Sequence, residues 1–120
     1  MSESPQHLEH LRTNIVQAVD SVLKSRDVFE VVESIRYVVN NFDDLDPSAE
    51  KREDYITFEG IESELDGFPN RVSIKVWDTS ALEERIRAVE VYLEATKQQL
   101  TSACQTIREY ASKLSFDSTD

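Results

Sequence analysis

The sequence predicts a mainly α-helical fold, a three-helix bundle-like domain with a long C-terminal helix and, between the helices, a small β-hairpin or an irregular acidic loop. Apolar residues recur every three or four positions through most of the chain, which is the spacing of one helix face. Two glycines and three prolines among 120 residues indicate neither a linker nor a loop scaffold. This length fits one domain, residues 1–120, with one hydrophobic core.

Two helices are predicted before residue 43. The first covers about 5–24, because Ser4 is an N-cap residue and Pro5 suits the first helical position. The second covers about 27–42, with Asp27 and Glu30 as a capping pair. Their apolar stripes are about 120° out of phase on a continuous helix, so the chain must break near residues 24–27. The stripes are Leu8, Leu11, Ile15, Val19 and Val22, and then Val28, Val31 or Val32, Ile35, Val38 or Val39, and Phe42.

The middle of the chain, about 43–77, is predicted to be an acidic loop that carries short strands. Pro47 ends the preceding helix. Residues 55–58 and 71–76 are short β-like runs, and the second alternates apolar and polar side chains. Two strands alone are marginally stable, so this hairpin would have to pack on the helices.

The third helix is predicted over about 80–114, followed by an acidic tail at 115–120. Asp78, Thr79 or Ser80 can cap its start, and Glu83 would complete a capping box with Ser80. Apolar residues then alternate in steps of four and three, which is the pattern of heptad positions a and d, and Thr96 interrupts it. The seam consists of Leu82, Ile86, Val89, Leu93, Thr96, Leu100, Ala103, Ile107, Tyr110 and Leu114.

The length of this third helix leaves two arrangements open. It would run ~50 Å, whereas each of the first two helices would run ~25–30 Å. Either the first two helices cover successive parts of the seam in one bundle, or a second copy covers it in a homodimer through Leu93, Leu100 and Ile107. A broad apolar stripe favours the bundle.

Acidic residues concentrate in the middle of the chain. Residues 43–66 hold ten acidic and two basic side chains, in a chain whose net charge is -11. This charge disfavours direct nucleic-acid binding, which needs clustered cations, and it favours encounter with a basic protein. The segment is either a docking surface or a loop that its charge keeps solvated. The candidate partner-binding residues are Asp43, Asp44, Asp46, Glu59, Glu62, Glu64 and Asp66.

No catalytic residue, metal site or cofactor is predicted, so an enzyme is not expected. Asp44, Asp46 and Ser48 have EF-hand spacing, but the required glycine and final glutamate are replaced by Ala49 and Tyr55. The two histidines, at positions 7 and 10, lack further ligands for zinc. The single cysteine, at position 104, lacks a nearby histidine that would activate it.

The expected compartment is the cytoplasm. The N-terminus lacks the basic and apolar regions of a secretory signal, and no apolar run is long enough to span a bilayer. A lone cysteine is typical of a cytosolic chain.

The stretch Phe58-Glu-Gly-Ile-Glu-Ser-Glu-Leu-Asp-Gly-Phe-Pro69, followed by Trp77, resembles a group of small uncharacterised bacterial proteins. Their hallmark is F-x-G-I-x-S-E-x-D-x-x-P and then a tryptophan that opens a helix. Members are similar to immunity or accessory proteins, and the resemblance implies that Gly60, Ser63, Glu64 and Asp66 form a fixed turn. With the charge, it suggests an immunity protein or antitoxin whose acidic segment docks a basic, toxin-like or nuclease-like partner.

Overall fold

A computed structural model describes residues 5–68 and 78–113, apart from the side chains of Pro5 and Gln6. Over this part the chain is helical and contains no strand, which confirms the mainly α prediction. The helices are α1 (Pro5–Lys24), α2 (Val28–Leu45), a 3₁₀ turn (Ala49–Lys51), α3 (Glu53–Glu64), α4 (Thr79–Ala95) and α5 (Lys97–Lys113).

Helices α1 and α2 form the predicted pair and pack extensively on each other. The chain breaks between Lys24 and Val28, as the change of phase between the two apolar stripes predicts. At the start of α2, the Asp27 side chain accepts a hydrogen bond from Phe29 N at 3.0 Å. Helix α2 is longer than predicted and ends at Leu45, and the N–H of its C-cap residue, Asp46, donates to Phe42 O at 3.1 Å. Pro47 follows and cannot continue the helix.

The predicted β-hairpin is wrong where the structure describes it, because residues 55–58 lie inside α3. Asp54, Tyr55, Phe58 and Ile61 are buried and share one face of this helix. The β-branched Ile56 and Thr57, which suggested a strand, lie away from that face, and Ile56 is half exposed. The other β-like run, 71–76, falls outside the described residues.

The predicted long C-terminal helix is two helices, because the chain breaks at Thr96 between α4 and α5. The Thr96 hydroxyl donates to Tyr92 O at 3.0 Å and to Leu93 O at 3.3 Å. A threonine hydroxyl that bonds the preceding turn competes with the backbone ladder and bends helices. Thr96 is also the polar residue that interrupts the apolar seam.

The core lies between α1, α2, α3 and α5. Helix α5 packs on α1 and α3, and α2 also packs on α3. Phe42, Phe58 and Ile107 are among the largest fully buried side chains. Helix α4 contributes little, since Val89 is its one fully buried residue. None of the described helices is both long enough and apolar enough to cross a membrane.

The seam residues considered for a homodimer are divided by the break. Leu100 and Ile107 on α5 are 6% and 0% exposed, so the chain's own core covers them. Leu93 on α4 is half-buried at the edge of the core. In α5, therefore, the intramolecular bundle already covers the seam.

Candidate docking surface

Acidic residues from three successive elements raise the pKa of the buried Tyr55. Its hydroxyl donates to Val39 O at 3.1 Å, and its ring stacks on Phe42 with centroids 6.0 Å apart. Burial raises the pKa of Tyr55, and the negative charges of four acidic residues raise it further. These four residues, here called the acidic face, are Glu59, Asp43, Glu50 and Glu62.

The acidic face contains three of the residues predicted from the sequence and one that was not selected. Asp43 and Glu59 are exposed, and Glu62 is half-buried. Glu50 was counted in the acidic segment but was not chosen as a candidate. It lies in the 3₁₀ turn Ala49–Lys51, and its negative charge contributes to the raised pKa of Tyr55. The density of acidic residues in the sequence indicates the region, whereas the fold determines which of these residues act on Tyr55.

The other exposed candidates lie on the same segment but do not contribute to the field at Tyr55. Asp44, Glu64 and Asp66 are all exposed. Glu64 instead raises the pKa of Tyr92 on α4, where burial is the larger cause. The backbone oxygen of Asp66 accepts a hydrogen bond from Arg85 Nη2 at 3.3 Å. Glu64 and the backbone of Asp66 therefore lie near α4.

Asp46 differs from the other candidates because it is turned into the protein. It is 5% exposed, and its Oδ1 accepts hydrogen bonds from Ser48 N at 2.9 Å and Ser48 Oγ at 2.7 Å. Its Oδ2 lies 3.6 Å from Arg52 Nη1. These bonds fix the turn after α2, so the carboxylate has a structural role at this position.

Arg52 is held by a second buried carboxylate and by aromatic rings. Its Nε and Nη2 donate to the two oxygens of Asp54 at 3.0 and 2.8 Å, a bidentate pair. The guanidinium lies 4.2 Å from the ring centroid of Tyr110. The hydrogen bond to Asp54 is the main cause that raises the pKa of Arg52. Of the segment's two basic residues, Lys51 is thus the one left exposed.

The turn after α3 contains part of the set that the resemblance implied, since Asp66 lies in it and its N–H donates to Ser63 O at 3.2 Å. Gly60 lies within α3, whereas Gly67 has the positive φ, +90°. Arg36 Nη2 donates to Leu65 O at 3.1 Å and to Phe68 O at 3.0 Å. A basic side chain of α2 thus binds the carbonyls at the end of α3 and anchors the turn.

The groups considered for chemistry are not assembled in the described part of the chain. His7 and His10 are exposed on α1, and no described group of three potential ligands could hold a metal ion. Cys104 is buried, and burial raises the pKa of its thiol to about 12, with a smaller contribution from Asp20. The thiol is therefore protonated at neutral pH and is a poor nucleophile.

Comparison with known proteins finds no matching family model, no similar curated protein and no similar solved structure.

Proposed function

We propose that this protein is a non-enzymatic binding protein that docks a basic protein partner through the acidic face. The observation that carries the proposal is that Asp43, Glu50, Glu59 and Glu62, three of them exposed, all raise the pKa of Tyr55. Three separate elements supply these carboxylates, and Arg52, the arginine of the segment 43–66, is bound internally by Asp54. The surface charge is thus left without an arginine of its own segment to compensate it.

A concentrated negative surface suits fast recognition of a cationic partner. Like charges held close together oppose folding, and a complementary surface relieves that repulsion on binding. Exposed charges interact over a Debye length of ~8 Å at physiological salt, so both encounter rate and affinity should fall as salt rises. A partner with a basic cleft, as in a toxin or a nuclease-like protein, has the complementary chemistry.

The immunity or antitoxin class is the specific form of this proposal. The small size of the chain, its negative charge and the resemblance of residues 58–69 support it, and the proposed site of action is intracellular. The competing explanation is that the same charges only keep the surface solvated. The two differ in whether the position of the charges matters or only their number.

Two variants with equal loss of charge separate these explanations. The first neutralises the acidic face by Asp43→Asn, Glu50→Gln, Glu59→Gln and Glu62→Gln. The matched control neutralises four exposed glutamates of α4 by Glu83→Gln, Glu84→Gln, Glu90→Gln and Glu94→Gln. Each immobilised variant and the wild type would capture proteins at low salt from a lysate of the source organism, followed by a salt gradient and mass spectrometry.

We expect a basic protein that wild type and the α4 control retain equally and the acidic-face variant loses. Polylysine serves as a probe of charge alone, and it should bind the two variants to the same extent. If the captured basic proteins also bind both variants alike, position does not matter and the proposal fails. Circular dichroism of each variant confirms that lost capture does not reflect unfolding.

A further inference from the structure

The junction between α4 and α5 is a single residue, Thr96. Two backbone bonds of a continuous helix are kept at this residue, since Thr96 N donates to Tyr92 O at 3.0 Å and Leu100 N donates to Thr96 O at 2.9 Å. The Thr96 hydroxyl donates a hydrogen bond to Leu93 O, with an Oγ1 to O distance of 3.3 Å. In a continuous helix this carbonyl would accept a backbone N–H instead. A small local change thus separates the broken form from a continuous one.

The sequence pattern continues through the junction without a change of phase. The four-and-three spacing runs from Leu82 on α4 to Tyr110 on α5, with Thr96 in its expected place. The neighbouring Ala95, Lys97 and Gln98 are strong helix formers. Local preference therefore favours one helix where the fold has two.

The contacts of α5 do not depend on its own α4. Its buried residues pack in the core, where α5 contacts α1 and α3 extensively and α4 only slightly. An ion pair between the exposed Arg108 Nη1 and the buried Asp20 Oδ1, at 3.4 Å, also joins α5 to α1. A second copy of α5 could make every one of these contacts at the same position.

We propose that two copies of this chain exchange α5 about Thr96. In the exchanged dimer, α4 and α5 of each chain join into one helix over 79–113, and α5 packs between α1 and α3 of the other copy. The core contacts are the same in both forms, so the conformation of the junction decides between them. Short hinges favour such exchange and longer ones suppress it. This inference is independent of the proposed function of the acidic face.

The first test changes the junction. Each protein is refolded at high concentration, and the dimer fraction is measured by size-exclusion chromatography with light scattering. Thr96→Ala removes the hydroxyl and raises helix propensity, so we expect several-fold more dimer than wild type, whereas Thr96→Ser, which keeps the hydroxyl, should match wild type. A Gly-Ser insertion after Thr96 should abolish the dimer. A wholly monomeric Thr96→Ala protein, or a dimer that persists with the insertion, would overturn the proposal.

The second test asks whether the dimer is an exchanged one. In a Thr96→Ala background, Asp20→Arg sets two cations against each other, and Arg108→Asp sets two carboxylates against each other. Opposite charges meet only when α5 of one variant packs on α1 of the other, and then both pairs are restored. After co-refolding, native mass spectrometry should show the mixed dimer enriched by about threefold or more over random pairing. Random pairing would mean that the chains associate through another surface.

Discussion

Loss of the Arg52 guanidinium should lower the free energy of unfolding because it leaves the buried Asp54 without its partner. Arg52→Met tests this while keeping an aliphatic side chain against Tyr110. The substitution leaves the buried Asp54 carboxylate, 3% exposed, without the two charge-assisted hydrogen bonds of 3.0 and 2.8 Å. Removing one partner of a fully buried pair costs about 3–5 kcal/mol. Because the Arg52 side chain is 25% exposed, water can partly solvate the carboxylate, and we expect a loss of about 2–3 kcal/mol.

Urea denaturation followed by circular dichroism at neutral pH measures this loss. With an m-value of about 1–2 kcal/mol/M, the midpoint should fall by about 1–3 M. The adjacent Lys51 is exposed, so Lys51→Met removes the same charge and should change stability by less than about 0.5 kcal/mol. Adding Asp54→Asn to Arg52→Met should recover part of the loss, because the unpaired charge is removed.

Equal midpoints for Arg52→Met and Lys51→Met would refute this reasoning. That result would mean that Asp54 is solvated well enough to need no partner, and that the bidentate pair contributes no more than a surface ion pair.

Three further predictions concern other positions. Burial raises the pKa of the Cys104 thiol from 9.0 to about 12 in the folded protein. Its contribution to the free energy of unfolding is therefore complete below pH 9 and is lost as the pH rises towards 12. Between pH 8 and about 10.5, the free energy of unfolding of wild type, measured in urea, should fall by about 2 kcal/mol more than that of Cys104→Ala. Gly60→Ala should stabilise the protein by about 0.5–1 kcal/mol, because the added Cβ meets nothing within 4 Å inside α3, whereas Gly67→Ala should cost about 1 kcal/mol at its positive φ; thermal melting compares them. Arg36→Met should cost about 1–2 kcal/mol in urea denaturation, because the carbonyls of Leu65 and Phe68 lose their donor.

Each of these predictions has an outcome that contradicts it. Parallel alkaline loss in wild type and Cys104→Ala would assign the effect to the tyrosines, whose raised pKa values act in the same direction. Equal melting temperatures for the two glycine variants would contradict the claim that the positive φ of Gly67 makes alanine unfavourable there. A cost for Arg36→Met no larger than that of Arg87→Met, a change at an exposed arginine of α4, would show that the turn holds without its anchor.

The first two helices could be predicted from the sequence because period, caps and phase agree there. Helix α3 could not, since its buried stripe includes a carboxylate, Asp54, whose burial depends on Arg52 two residues earlier. The exposed side of the same helix carries Ile56, which suggests a strand by composition. Here a buried charge and an exposed apolar residue reversed the usual relation between hydrophobicity and burial.

The break at Thr96 was visible as a gap in the seam but not as a break in the helix. A single threonine at a core position is compatible with a continuous helix, and the break depends on the bond from its hydroxyl to Leu93 O in a fold where α5 packs on α1 and α3. The candidate site was predictable in the same partial way. Charge density located the segment, but the inward turn of Asp46 and the approach of Glu50 to Tyr55 depend on tertiary contacts.

The acidic residues that raise the pKa of Tyr55 also allow a test, without a known partner, of whether the acidic face is kept charged at a cost in stability. Charges that only solvate a surface could be spread evenly over it. Concentrated like charges repel each other and lower the free energy of unfolding, as expected of a surface kept for a function other than stability. Neutralising Glu59 or Glu62 should then raise the melting temperature, and added salt should reduce the gain by screening the repulsion. The α4 glutamates should give a smaller gain, and the difference between the two sets would measure what the fold gives up to keep this face charged.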